Sequence, residues 1–142
     1  MADLTITASQ VLPGAESAGA QFAQGIAGAS ITAGQVLYLD SSTNTYKLAD
    51  NNDTSQSLSV AAGVALHAAG SGQPIRMQSA GPITLGAGAA PGVGSVFCLS
   101  ATAGGIAPVA DLATGNRTTI LGVGGASNTI ILRIYSSLQV RP

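Results

Sequence analysis

A single histidine, His67, and a single cysteine, Cys98, stand among 142 residues. With six carboxylates, they are where any reaction chemistry would have to originate. A general base needs a nucleophile within hydrogen-bond reach, and "ALHAAG" around His67 offers none. A zinc site takes three or four His or Cys ligands at short spacing, and the chain has two in all. Cys98 lies in the apolar strand pattern "SVFCLS" and reads as a buried, inert thiol. It leaves no partner for an intrachain disulfide. Four carboxylates (Asp40, Asp50, Asp53 and Asp111) fall at expected turns or strand ends. Asp40 and Asp50 flank a hairpin turn and recur in part as Asp111. A calcium site wants more oxygen ligands than loops so short and poor in acids supply. "GAESAG" misses the G-x-S-x-G nucleophile pattern by one residue. The runs "GAGAAP" and "GVGGAS" depart from a phosphate loop at Pro91 and Ser127 and lead into strands, so both read as tight turns. The expectation is a protein that is not an enzyme, with no cofactor and no metal site.

Charge narrows the partners. Charged residues make up 8% of the chain, against roughly 25% in an average soluble domain. So few charges suggest a surface covered by other protein. Net charge is −1, and Lys47, Arg76, Arg117, Arg133 and Arg141 are scattered. Nucleic acid would need them clustered. No apolar stretch approaches the roughly 18 residues of a membrane span. "MADLTITASQ" carries Asp3 and neither a basic nor an apolar leader region. Synthesis in a reducing cytoplasm is expected.

The elements that would position these residues are β-strands. "GQVLYLDSSTNTYKLAD" (34–50) holds two strand patterns around the turn cluster Ser41–Asn44. "GSVFCLSATAGGIAPVAD" (94–111) repeats the idea, with Gly104-Gly105 in place of Asn44-Thr45. "AAGVALHAAGSGQPIRMQS" (61–79) matches "ILGVGGASNTIILRIYS" (120–136) in the same way. Gly34 and Gly94 are 60 apart and Gly63 and Gly122 are 59 apart, so two units of about 60 residues are expected, roughly 26–81 and 86–137. On this alignment Val36 and Val96 occupy equivalent interior positions, as do Ile75 and Leu132. Two units are too few for a solenoid. The fold class is all-β: a small β-barrel, tulip-like or sandwich domain over 26–142, with a pseudo-twofold hairpin repeat. The linker "SAGPITLGAGAAPGVG" contains Pro82 and Pro91 and reads as loop or edge strand. Residues 1–25 hold few large apolar groups, chiefly Leu4, Ile6, Val11, Leu12 and Phe22. Those are too few to offset about 1–2 kcal/mol of backbone entropy per residue. The segment therefore reads as an extended N-terminal arm, ordered only on a partner.

The pattern "ITAGQVLYLD…YKLAD…AAGVAL…GQPIRMQSAGPITLGAGA…GSVFCLS" resembles the capsid decoration (cement) proteins of tailed bacteriophages, across most of residues 26–136. The resemblance implies a small β-barrel or tulip-like domain, often a homotrimer. It implies a site on the outer surface of a head built from an HK97-type major capsid protein, and no catalysis. In that setting Leu4, Ile6, Val11, Leu12 and Phe22 become the capsid-binding arm. A host-surface glycan-binding module or head-fibre base is the alternative. Its sugar-stacking aromatics would come from Tyr38, Tyr46 and Tyr135, in a chain with no Trp.

Overall fold

The computed structural model describes residues 3–52, 56–86, 89, 91–126 and 128–142. Its elements are nine strands and four short 3-10 turns, with no α-helix among the described residues. The strands are β1 (Gln21–Ile26), β2 (Val36–Asp40), β3 (Thr45–Leu48), β4 (Gly63–Ala65), β5 (Pro74–Thr84), β6 (Val96–Leu99), β7 (Ile106–Pro108), β8 (Arg117–Gly124) and β9 (Thr129–Val140). They form one curled antiparallel sheet, a half-barrel, in the order β3-β2-β4-β5-β9-β8-β6-β7, with β1 added on β5.

The repeat is visible in this order. Strand β2 pairs with β3 and β4, and β4 pairs with β5. Likewise β6 pairs with β7 and β8, and β8 pairs with β9. The registers agree as well: Leu37 faces Gly63 as Phe97 faces Gly122, and Val36 faces Val64 as Val96 faces Val123. Each first hairpin turns on a positive-φ residue, Asn44 (φ 55) or Gly104 (φ 77), a conformation that Gly and Asn adopt at least cost.

The expected Ile75–Leu132 equivalence does not hold. Leu132 pairs with Gly122, whereas the strand partner of Ile75 is Gly25 of β1. The connection from β4 to β5 is longer than that from β8 to β9, so the second matched strand is displaced along the sheet. Ile75 and Leu132 are both buried, but in different cores. Val96 differs from Val36 too: it is 36% exposed, and Val36 is fully buried.

The larger core joins the halves. Val36, Tyr38 and Val64 pack with Phe97, Leu99, Ile106, Leu121, Ile130 and Leu132. The smaller core lies on the other face of the first half, where Leu37, Ala65, Ile75 and Met77 meet Ala27, Ile31 and Ala69. It is closed as the chain after β1 returns to β3: Ala27 bridges Tyr46, and the Gly28 N–H donates to the Tyr46 carbonyl at 2.8 Å.

Pro82 stands inside β5, not in a loop or on an edge strand. It faces Ile131 of β9. Just before it the strand is irregular. Phe22 and Gln21 are adjacent in β1, but their partners are Gln78 and Ala80, so Ser79 is an extra residue. Gly81 follows with φ 84, and a Cβ there would stand 2.6 Å from the Ala20 backbone. The buried amide of Gln78 ties the irregularity together. Its Nε2 donates to the carbonyls of Ala80 (3.0 Å) and Pro82 (2.7 Å), and its Oε1 accepts the Gly14 N–H at 3.0 Å. These bonds satisfy two strand carbonyls and one N–H at the irregularity.

The N-terminal segment is built onto the same chain. The Leu4 N–H donates to Ile106 O (2.8 Å) and the Thr7 N–H to Leu85 O (3.3 Å), and Leu12 bridges Thr84. Strand β1 then runs along β5, from Gln21 at Ala80 to Ile26 at Pro74. The fold therefore does not divide at residues 25 and 26. Backbone hydrogen bonds to exposed strand edges order a segment that is poor in apolar side chains.

Candidate functional site

The arm residues named from sequence separate into two groups. Val11 is buried in the larger core, and Leu4 and Ile6 are half-buried against it. Phe22 is half-buried under the guanidinium of Arg76, whose Cζ lies 4.4 Å from the ring centroid. Leu12 alone is broadly open, at 58% exposure. The structure thus packs Leu4, Ile6 and Val11 into this domain, with Phe22 half-buried and Leu12 exposed.

The apolar face most open to a partner lies elsewhere. Val96 of β6 faces Val123 of β8, Val123 faces Ile131 of β9, and Ile131 faces Pro82 of β5. Residues directly opposite in an antiparallel sheet share a face. The result is a stripe across four strands, with Val96, Val123 and Ile131 all exposed. Val93, in the turn before β6, is 79% exposed. Arg133 and Tyr135 are exposed farther along β9. Scattered exposed apolar residues are ordinary, but a row in cross-strand contact is what a protein interface presents. No sequence signal marks it: the repeat alignment places Val96 in the interior by analogy with Val36.

The remaining candidates are structural. Both ring nitrogens of His67 are engaged. Nε2 accepts the Arg76 backbone N–H (3.1 Å), so Nδ1 carries the proton and donates to Ala68 O (2.9 Å). The ring braces the loop between β4 and β5. Cys98 is fully buried, and desolvation, with the negative charges of Asp111 and Asp3, pushes its thiol up to about 11. A thiol so held is a poor nucleophile. Asp40 accepts from Lys47 Nζ (2.7 Å) and from the Ser42 hydroxyl (2.7 Å) and N–H (3.0 Å). The Lys47 bond, followed by Ser42, holds its carboxyl well below the usual range. It fastens the β2–β3 turn. Asp53, Ser127 and, within "GAGAAP", Ala87, Gly88 and Ala90 lie outside the described residues. Tyr38 is buried, Tyr46 half-buried and Tyr135 67% exposed. Among the described residues, no three His, Cys, Asp or Glu side chains are grouped to hold a metal ion, and no helix is long and apolar enough to cross a membrane.

Compared with protein-family models, curated proteins and solved structures, the chain has no significant match in any of the three.

Proposed function

We propose that this chain is a structural protein of a tailed-phage virion. It binds the outer surface of an HK97-type capsid, as a homotrimer, and cements the head against the pressure of packed DNA. The observation that carries this reading is the open Val96–Val123–Ile131 stripe on a chain with so few charges. The resemblance to decoration proteins supplies the identity of the partner. A stable contact covers about 800 Å² on each side, a modest share of the 6652 Å² this chain exposes. Cementing then follows from number: many copies each bury such an area across capsomer joints, and their binding free energies oppose expansion together.

The test is co-sedimentation of purified protein with empty heads. Wild-type protein should pellet with the heads, and Val123→Asp and Ile131→Asp should abolish this while the variants stay folded. A folded wild-type protein that never pellets with any HK97-type head would sink the reading. Sedimentation velocity tests the trimer. The exposed ring of Tyr135 favours the second reading, a glycan-binding module, because an open aromatic face can stack on sugar. Glycan-array binding lost in Tyr135→Ala, with no head binding, would select it.

A further inference from the structure

Where the N-terminal segment meets the second hairpin, the molecule holds a half-open polar cavity of about 170 Å³. Its walls come from chain segments far apart in sequence. Asp3 comes from the N-terminal segment and Asn51 from the loop after β3. Ser100 and Thr102 come from the β6–β7 turn, and Asp111 and Asn116 from the chain after β7. Among the described residues, no Lys or Arg lines it.

Two independent details show a built site. Asn51 is 2% exposed, and its Nδ2 donates to the Leu99 carbonyl at 2.6 Å. That bond fixes which end of the amide is oxygen. Oδ1 is buried with no hydrogen-bond partner, on a residue that lines the cavity. A buried amide oxygen left unpaired is costly, and natural proteins seldom tolerate one without a ligand or a water. The second detail is the seat of Asp3. The Ser100 Oγ lies 2.8 and 2.7 Å from its two carboxylate oxygens and itself accepts the Thr102 N–H at 3.0 Å. Residue 105 must be small here: a Cβ on Gly105 would stand 2.7 Å from Asp3 Oδ2. The carboxylate is oriented, and the space around it is kept open.

We propose that this cavity binds a hard divalent cation, Ca²⁺, through the Asn51 side-chain oxygen and the carboxylates of Asp3 and Asp111, with the Asn116 amide and water completing the shell. Calcium takes six to eight oxygen ligands, and carboxylates, amide carbonyls and waters are its usual set. Zinc prefers nitrogen and sulfur, and Mg²⁺ demands a tighter octahedron and holds its water. Cys98, in the same wall, feels both carboxylates. The bound ion ties residue 3 to the second hairpin and to the loop that leaves the first. It thereby fastens the N-terminal segment at Asp3. The site stands apart from the capsid reading.

The experiment is isothermal titration of the EDTA-treated full chain with CaCl₂, paired with hydrogen exchange of the N-terminal peptide. One ion per chain should bind, with Kd of about 10⁻⁴–10⁻³ M or tighter, the range of sites with few charged ligands. Exchange at the Leu4 N–H, which donates to Ile106 O, should slow as calcium saturates. Asp111→Asn, nearly isosteric, should weaken binding about 10-fold or more by removing ligand charge, and Gly105→Ala should do likewise by displacing Asp3. No heat and no change in exchange with wild-type protein up to 10 Kd of the expected range would overturn the site. So would an equal slowing by NaCl at matched ionic strength, which would make the effect screening.

Discussion

The two halves of the sheet share a connectivity and a register but not a burial pattern. In the first half, Val36, Tyr38 and Val64 point into the larger core and Leu37, Ala65 and Met77 into the smaller one. Both faces are covered. In the second half the matching front residues Val96 and Val123 are exposed, though Cys98, matched to Tyr38, is buried, and the back, with Phe97 and Leu99, lies in the larger core. The front of one half therefore packs on the back of the other. A twofold arrangement would have joined like faces. The cause lies in β5. Side chains alternate along a strand, so residues an odd number apart point opposite ways. Gln78 shares a face with Val64, and Ile83 shares one with Ile130. Val64 and Ile130 lie in the same core, although Gln78 and Ile83 are five residues apart. The extra residue Ser79 and the positive φ of Gly81 reverse the alternation between them. A repeat can thus specify strand order twice while one bulge decides which copy keeps an open face.

The sharpest way to break this comparison is to place the same charge at both matched positions. Val36→Asp puts a carboxylate where nothing is exposed, and an unpaired buried charge costs several kcal/mol. It should leave little folded protein by circular dichroism. Val96→Asp adds the charge to a face already in water and should stay within about 1 kcal/mol of wild type in urea melts. If both unfold the chain, the open face is covered in solution by something other than solvent.

A smaller contrast comes from the matched glycines. Gly34 (φ 91) and Gly94 (φ 82) precede β2 and β6 in the same backbone conformation. A Cβ on Gly34 would run into Ile6 of the N-terminal segment, while one on Gly94 would meet nothing within 4 Å. Gly94→Ala should cost about 1–2 kcal/mol, the strain of a left-handed residue. Gly34→Ala should cost about 1–3 kcal/mol more, since Ile6 and its neighbours must shift. Equal losses in urea melts would mean that the segment does not rest on the first half in solution.

What could be read in advance follows from what kind of interaction carries it. The hairpins were legible because Asn44 and Gly104 mark turns through their own backbone preferences. The doubling was legible because Gly63 and Gly122 recur at matched sites facing Leu37 and Phe97. The path of residues 3–26 was not, because Leu4, Thr7 and Leu12 are held through backbone groups, which any residue type supplies. Pro82 pointed to a loop or an edge strand, and the Gln78 amide that meets its carbonyl inside β5, with the Gly14 N–H from a remote segment, has no local signature. The open stripe depends on a one-residue bulge that no pattern in "MQSAGPIT" announces. The polar cavity draws on residues 3, 51, 100 and 111, which no spacing rule connects.

The smallest effect concerns the third matched pair, Tyr38 and Cys98. Both are buried, but only Cys98 is a thiol walled in by desolvation and two carboxylates. Its folded pKa of about 11 lies above the ordinary value of 9.0. The folded state therefore holds this proton more tightly than the unfolded chain does. The sign follows by linkage: the contribution is fully present below about pH 9 and is lost as pH rises from there through about 11. Urea midpoints of wild type and Cys98→Ala, measured from pH 8 upward, isolate it, since every other side chain is common to both proteins. The variant starts lower because a small cavity replaces the sulfur, and the gap should narrow across that window. Maleimide labelling at pH 8 gives the kinetic counterpart: modification should be slow and should track opening of the sheet. A gap that stays constant with pH, or labelling as fast as in urea, would show that the second half breathes where the first does not.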